Sequence, residues 1–165
     1  MSTLKVLIAY DGSPNAQSAM HTVAGLFPGA TAVLFYARQP LEGFAAHLEG
    51  HPALESLQGL DAAALDVSEK IATDGAQLAR DLGLQAEPLI SSTMATASEA
   101  IVDAAEELDV DLIVLGSRGL RGIKATLLGS TSANVLHHAT RPTLVIPSDD
   151  VADARRRTRS TTPAS

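Results

Sequence analysis

Apolar residues along this chain gather mostly into short unbroken runs: Leu4 to Ala9, Thr31 to Ala37, Glu87 to Ser91, Asp111 to Leu115 and Thr143 to Ile146. Continuous runs of this length mark strands covered on both faces, as in a parallel sheet. Between them apolar positions take helical spacing. Ser13 followed by Pro14 opens a first helix, a capping hydroxyl with proline at the first helical position. A second helix is expected from about Pro52 to Leu82, ended by Gly83. A third is expected from Ser98 to Leu108 with Ser98 as its cap, and a fourth from near Ser130 to before Arg141, where Pro142 opens the last strand. Strands alternating with helices predict an α/β domain, a doubly wound five-stranded parallel sheet with helices on both faces. Pro88 cannot donate to a ladder, which places its strand at an edge. The segment Arg38 to His51 shows no clear period and is expected to be a mobile connection beside the site. The domain is expected to span 1–149. Residues 150–165, with four arginines among Thr, Ser, Ala and Pro, read as a disordered tail.

Composition narrows the functions this fold can serve. With 165 residues there is one core to build, and with only 3% aromatic residues it must be aliphatic. Few aromatics also mean few stacking platforms, and a net charge of −7 disfavours DNA and anionic membranes as partners. No apolar run approaches the roughly 20 residues that cross a bilayer. The chain has no cysteine, which excludes disulfides and thiolate metal sites and fits a cytoplasmic protein. The charge is unevenly spread: no acidic residue falls between Asp111 and Asp149, whereas Arg118, Arg121, Lys124 and Arg141 do. An acidic protein with one acid-free basic window suggests a local anion site.

Ligands of doubly wound sheets sit beyond the carboxyl ends of strands, where the strand order reverses. Two segments occupy such ends: Tyr10-Asp11-Gly12-Ser13, and Gly116-Ser117-Arg118-Gly119, which continues through Gly122 to Gly129-Ser130-Thr131-Ser132 at a helix start. Glycines let a backbone approach phosphate, the helix start supplies unpaired N–H groups, and the hydroxyls of Ser130, Thr131 and Ser132 can donate. Asp11 makes an Asx-type turn or, as a ligand contact, accepts a ribose hydroxyl or holds Mg²⁺. His47 and His51 are four apart without a third metal ligand, and the adjacent His137 and His138 diverge by about 100° on a helix, too far to share a metal easily. The chain has neither the G-x-x-x-x-G-K-[ST] loop nor the G-x-S-x-G turn, and no evident base, so at most a slow ATPase or self-phosphorylating activity is expected.

Gly116-x-x-Gly119, nine residues, then Gly129-Ser130 resembles the nucleotide signature of the universal stress protein family. The resemblance covers residues 3–147, including Asp11 and the closing Arg141-Pro142-Thr143-Leu144-Val145-Ile146-Pro147. It implies an adenine nucleotide alpha-hydrolase-like fold with ATP over the ends of the first and fourth strands. Gly116, Gly119, Gly129, Ser130 and Thr131 then match positions that hold phosphates and ribose, with Arg118 inside the same loop. Asp11 matches the acidic residue near ribose and adenine, and Ala37 a position whose backbone contacts adenine. The resemblance further implies an ATP-binding dimer acting in stress responses. One departure is Ala95, at a position where the family often has glycine; it bears on affinity. The apolar run Thr143 to Ile146, expected at a sheet edge, predicts antiparallel pairing with a second chain as a homodimer. ATP is expected to order Gly119 to Gly129, and with it Arg38 to His51, so that bound and empty dimers offer different surfaces to an unidentified protein partner. The other reading is a partner-binding dimer that takes cyclic AMP or no nucleotide.

Overall fold

The computed structural model describes residues 2–118 and 128–160, the side chains of residues 42, 44 and 46 excepted. The expected apolar runs form β1 (Lys5–Ala9), β2 (Thr31–Arg38), β3 (Gln85–Ser92), β4 (Leu112–Gly116) and β5 (Thr143–Ile146). Among the described residues they make one sheet in the order β3-β2-β1-β4-β5, with every pair parallel. The chain winds outward from β1 in one direction through β2 and β3, then returns to lay β4 and β5 on the other side. The order therefore reverses between β1 and β4. Pro88 does lie on an edge strand, opposite Leu34.

The unbroken apolar character of the central strands follows from their cover. One face of the sheet is packed by α1 (Pro14–Leu26) and α2 (Ala53–Asp81), which bring Ala19, Met20, Val23, Ala76 and Ala79 onto Val6, Ile8 and Leu34. The other is packed by α3 (Ala97–Glu107) and α4 (Ser130–His138), which bring Ile101, Ala105 and Val135 onto Leu7, Phe35 and Ile113. Small residues on the helices bring them close to the sheet. At Gly75 of α2 a Cβ would stand 2.4 Å from Cε1 of Tyr10, so the ring of Tyr10 occupies the place of a side chain there. The end of α2 is as the sequence suggests: Gly83 at positive φ follows its last turn, Gly83 N–H donates to Arg80 C=O and Leu84 N–H to Ala79 C=O.

Three elements differ from expectation. α3 is capped by Thr96 and not by Ser98: Thr96 Oγ1 accepts from Glu99 N at 3.3 Å, and the Glu99 carboxylate accepts from Thr96 N at 2.8 Å. This reciprocal box satisfies two helix-end donors at once, which a lone serine cannot do. The segment Arg38 to His51 contains a 3-10 helix, Leu41–Leu48, bordered by a buried ion pair. Of the tail read as disordered, residues 150–160 are helical, within α5 (Asp149–Ser160), and 161–165 lie outside the described residues. Asp149 and Asp150 stand in the first turn and Arg157 and Arg159 in the last, the order the helix dipole favours, and Val151 is buried.

Candidate functional site

A cavity of about 640 Å³ lies over the carboxyl ends of β1, β2 and β4, at the point of reversal. Tyr10 and Asp11 enter it from β1, Ala37 to Gln39 from β2, Ala95 to Ala97 from the approach to α3, Gly116 and Arg118 from β4, and Gly129 to Ser132 from the start of α4. Seven of the eight site residues expected from the sequence thus share one cavity: Asp11, Ala37, Gly116, Arg118, Gly129, Ser130 and Thr131. The eighth, Gly119, lies outside the described residues, as do Arg121, Gly122 and Lys124. Arg141 of the basic window is elsewhere, paired with Glu106 at 3.2 Å and Asp109 at 2.8 Å.

Two helices begin at this cavity and differ in what their first turns still offer. At the start of α3 the Thr96–Glu99 box engages the N–H groups of Thr96 and Glu99. The Thr96 N–H, more than any other group, holds the Glu99 carboxyl below its ordinary range. α4 has Gly129 as its cap residue and no side-chain capping bond, so its first donors and the exposed hydroxyls of Ser130 and Thr131 are open to an external anion. Ser132, expected to donate as well, is buried and gives its hydroxyl hydrogen to Gly116 C=O at 2.8 Å. Gly129 N–H donates to Ser117 C=O at 2.8 Å, and a Cβ on Gly129 would stand 3.0 Å from that same oxygen. The glycine is therefore needed for the loop to meet the helix this tightly.

Gly116 serves a neighbour that sequence reasoning missed. A Cβ at Gly116 would lie 2.7 Å from Cγ of Asn15. Asn15 is only 8% exposed. Its Oδ1 accepts from Arg118 N at 2.9 Å and from Ser117 Oγ at 3.4 Å, and its Nδ2 donates to Ile146 C=O at 3.3 Å. One amide thereby ties the start of α1, the loop after β4 and the end of β5. The available signal was a lone asparagine beside the buried face of Ala16, Ala19, Met20 and Val23. With its backbone so fixed, Arg118 carries a buried Nε that has no hydrogen-bond partner among the described residues. A buried guanidinium N–H left unpaired is costly, so its position beside the cavity marks where an acceptor belongs.

Asp11 makes the Asx turn that its sequence context allows, at the wall of the cavity. Its Oδ1 accepts from Ser13 N at 2.9 Å, an Asx turn, and the residue still lines the cavity. Ser13 in turn caps α1 through Ala16 N. Burial raises the Tyr10 phenol above its usual range, the Gln17 hydrogen bond works against this, and the carboxylates of Asp11 and Asp74 add to the rise. Its hydroxyl is accordingly neutral at physiological pH.

The opposite end of the cavity, around Ala37 and Ala95, is uncharged apart from Arg38, whose guanidinium is turned to other work. Arg38 is 9% exposed and pairs with Asp61 of α2. Its Nη1 donates to Ser92 Oγ at 3.2 Å, while Asp61 Oδ1 also accepts from Leu41 N at 2.7 Å. The Leu41 N–H first, then Arg38, hold the Asp61 carboxyl below its ordinary range against the opposing effect of burial. The sequence reading placed Arg38 at the start of a connection beside the site but foresaw neither its pairing nor Asp61; an arginine closing an apolar strand was the visible sign. Gln39 follows, exposed, with Nε2 donating to Ala95 C=O at 3.4 Å.

Two of the histidines serve local structure. His51 Nδ1 accepts from Ala53 N, and His138 Nδ1 lies 2.9 Å from Asn134 C=O. Among the described residues no three His, Asp or Glu side chains gather as a metal cluster, and no helix is long and apolar enough to cross a membrane. The arrangement can thus seat an oxyanion at α4 and a flat apolar group at Ala37. The hydroxyls of Ser117 and Ser132 are already committed to Asn15 and to backbone.

Residues 3–147 match the model of the universal stress protein family. The chain is 31% identical over 145 residues to the universal stress protein in the QAH/OAS sulfhydrylase 3′ region of Thermus aquaticus, covering 86% of this chain and 96% of that one. It is 36% identical over 77 residues to universal stress protein YxiE of Bacillus subtilis, about half of each chain. Among solved structures, MJ0577 of Methanocaldococcus jannaschii superposes with a TM-score of 0.73 at 24% identity, covering 90% of this chain and 99% of that one. A universal stress protein family protein of Arabidopsis thaliana solved with AMP bound gives 0.57 at 18% identity, covering 98% and 97%. A universal stress protein solved in complex with cAMP also gives 0.57, at 21% identity and covering 89% and 98%. At these identities the structural likenesses establish the fold.

Proposed function

This chain belongs to the universal stress protein family, and on that premise we propose that it is a cytoplasmic stress-response protein that binds ATP with Mg²⁺. The observation that carries the reading is the meeting, in one cavity, of the uncapped start of α4 and the unpartnered Nε of Arg118. Adenine nucleotides in solved universal stress proteins, cAMP, dAMP and AMP, support the ligand class. Phosphates rest on Gly129, Ser130 and Thr131, ribose lies by Asp11, and adenine lies against Ala37. Charge-assisted hydrogen bonds contribute roughly 1.5–3 kcal/mol each. A few of them reach the ~8 kcal/mol of micromolar binding. Mg²⁺ neutralises phosphate charge when bound, with Asp11 as its protein ligand.

In this reading the protein signals rather than turns over substrate. Most of the loop expected to order on ATP, residues 119–127, lies outside the described residues; a homodimer joined through β5 shows its partner a different surface when loaded. The experiment is a calorimetric titration of nucleotide-free protein with ATP and Mg²⁺, repeated on Gly129→Val. Micromolar binding that weakens at least about tenfold in the variant, with the circular dichroism unchanged, is expected. No binding to the parent protein overturns the proposal.

A further inference from the structure

We propose that Gln39 reads the nucleobase, and that the Ala95 carbonyl and the Arg38–Asp61 ion pair hold it in the orientation that favours adenine; the inference rests on the nucleotide reading above and deepens it. Gln39 lines the cavity immediately after Ala37 and Arg38. A primary amide is two-sided, offering an acceptor oxygen and a donor NH₂, and left to rotate it suits an amino group or a carbonyl equally. Here the symmetry is broken. The Ala95 carbonyl can only accept, so it takes the NH₂ side at 3.4 Å and leaves Oε1 to face a ligand. An outward acceptor favours the exocyclic amino group at C6 of adenine and opposes the carbonyl that guanine and hypoxanthine carry there.

The backbone on either side of Gln39 is held from below. Arg38 C=O accepts from Thr93 N at 3.0 Å, while its guanidinium reaches Ser92 and Asp61. Beyond Gln39, Leu41 N donates to the same Asp61 oxygen that meets Arg38. A carboxylate on α2, outside the cavity, thus fixes both ends of the short stretch that bears the reading side chain. Asp61 is a positioning residue; Gln39 touches the ligand.

The test measures dissociation constants for ATP, inosine triphosphate and AMP in the parent, Gln39→Ala and Asp61→Asn. ATP and inosine triphosphate differ only in the base, whereas ATP and AMP differ only in phosphate. The parent is expected to prefer ATP over inosine triphosphate by about tenfold, the ratio one hydrogen bond of this kind sustains. Gln39→Ala brings that ratio towards one and leaves the ATP-to-AMP ratio where it was. Asp61→Asn lowers the base ratio in the same direction, a change that loss of global stability alone does not produce. An unchanged base ratio in Gln39→Ala, or a parent indifferent to the base, overturns the inference while nucleotide binding stands. A parent that binds none of the three overturns both. Because Gln39 is exposed, its variant folds even where the Asp61 variant does not.

Discussion

Gly116 and Asn15 are one unit in which the missing side chain of the first makes room for the amide of the second. Gly116→Ala puts a methyl within 3.0 Å of three atoms of that amide, and a cost of about 1–3 kcal/mol in urea unfolding is expected. Asn15→Ala leaves Arg118 N without its partner and Ile146 C=O with Ser117 N alone, and a similar loss is expected. The double variant should lose clearly less than the sum, because the alanine at 116 then has nothing to strike; strict additivity would show that the two do not act together. The glycine itself was legible in the sequence, as a flexible residue after a buried strand. Its reason was not. Sequence logic assigns the space to phosphate, and only the fold shows an asparagine 101 positions earlier, at the opening of α1, occupying it. The pairing of Arg38 with Asp61, 23 residues away, escaped notice for the same cause. An ion pair between a strand end and a distant helix leaves no periodic trace.

The elements that sequence reasoning recovered best are those whose patterns are local. The strands are continuous apolar runs, and α1 carries its Ser-Pro opening. α3 was placed one residue late because Thr96 and Ser98 are both capping residues, and the deciding contact is Glu99 folding back on Thr96. Thr96→Ala is accordingly expected to cost about 1 kcal/mol in unfolding free energy, with Ser98→Ala costing less as a cap. α5 was missed because its arginine-rich composition looks like that of disordered tails, although its charges are ordered along the helix dipole. The carboxyls of Asp61 and Glu99 both titrate lower in the folded protein than their ordinary values of 3.8 and 4.5. Their stabilisation is present in full above those ordinary values and is lost as pH falls through the lowered ones, because there the unfolded chain binds protons first. Urea midpoints measured from pH 6 downward, on the order of one unit at a time, should therefore drop on the acid side, and Asp61→Asn should flatten part of that fall.

Across the whole molecule the sheet has two edges, and they are unequal. β3 carries Pro88, whereas β5 is short, apolar and half-buried. Pro142 and Ile146 present their carbonyls to β4, at Ile113 N and Ser117 N. Alternation along the strand then turns the N–H and C=O of Val145 outward. Val145→Pro removes an outward donor and spares the β4 ladder, so sedimentation should show the proposed dimer becoming monomeric with its secondary structure retained. A variant that keeps the parent's mass would place the contact elsewhere. The strand order has another consequence, for the chain as the ribosome delivers it. β1 is made before the other strands of the sheet, yet its β4 side stays open until Gly116 has emerged, and the Asn15 amide waits for Ile146. A nascent chain that has not reached β5 therefore displays a bare apolar strand and an unfinished cavity, the state in which chaperones are most needed. On this topology the proposed nucleotide seat takes shape only once β5 has joined the sheet.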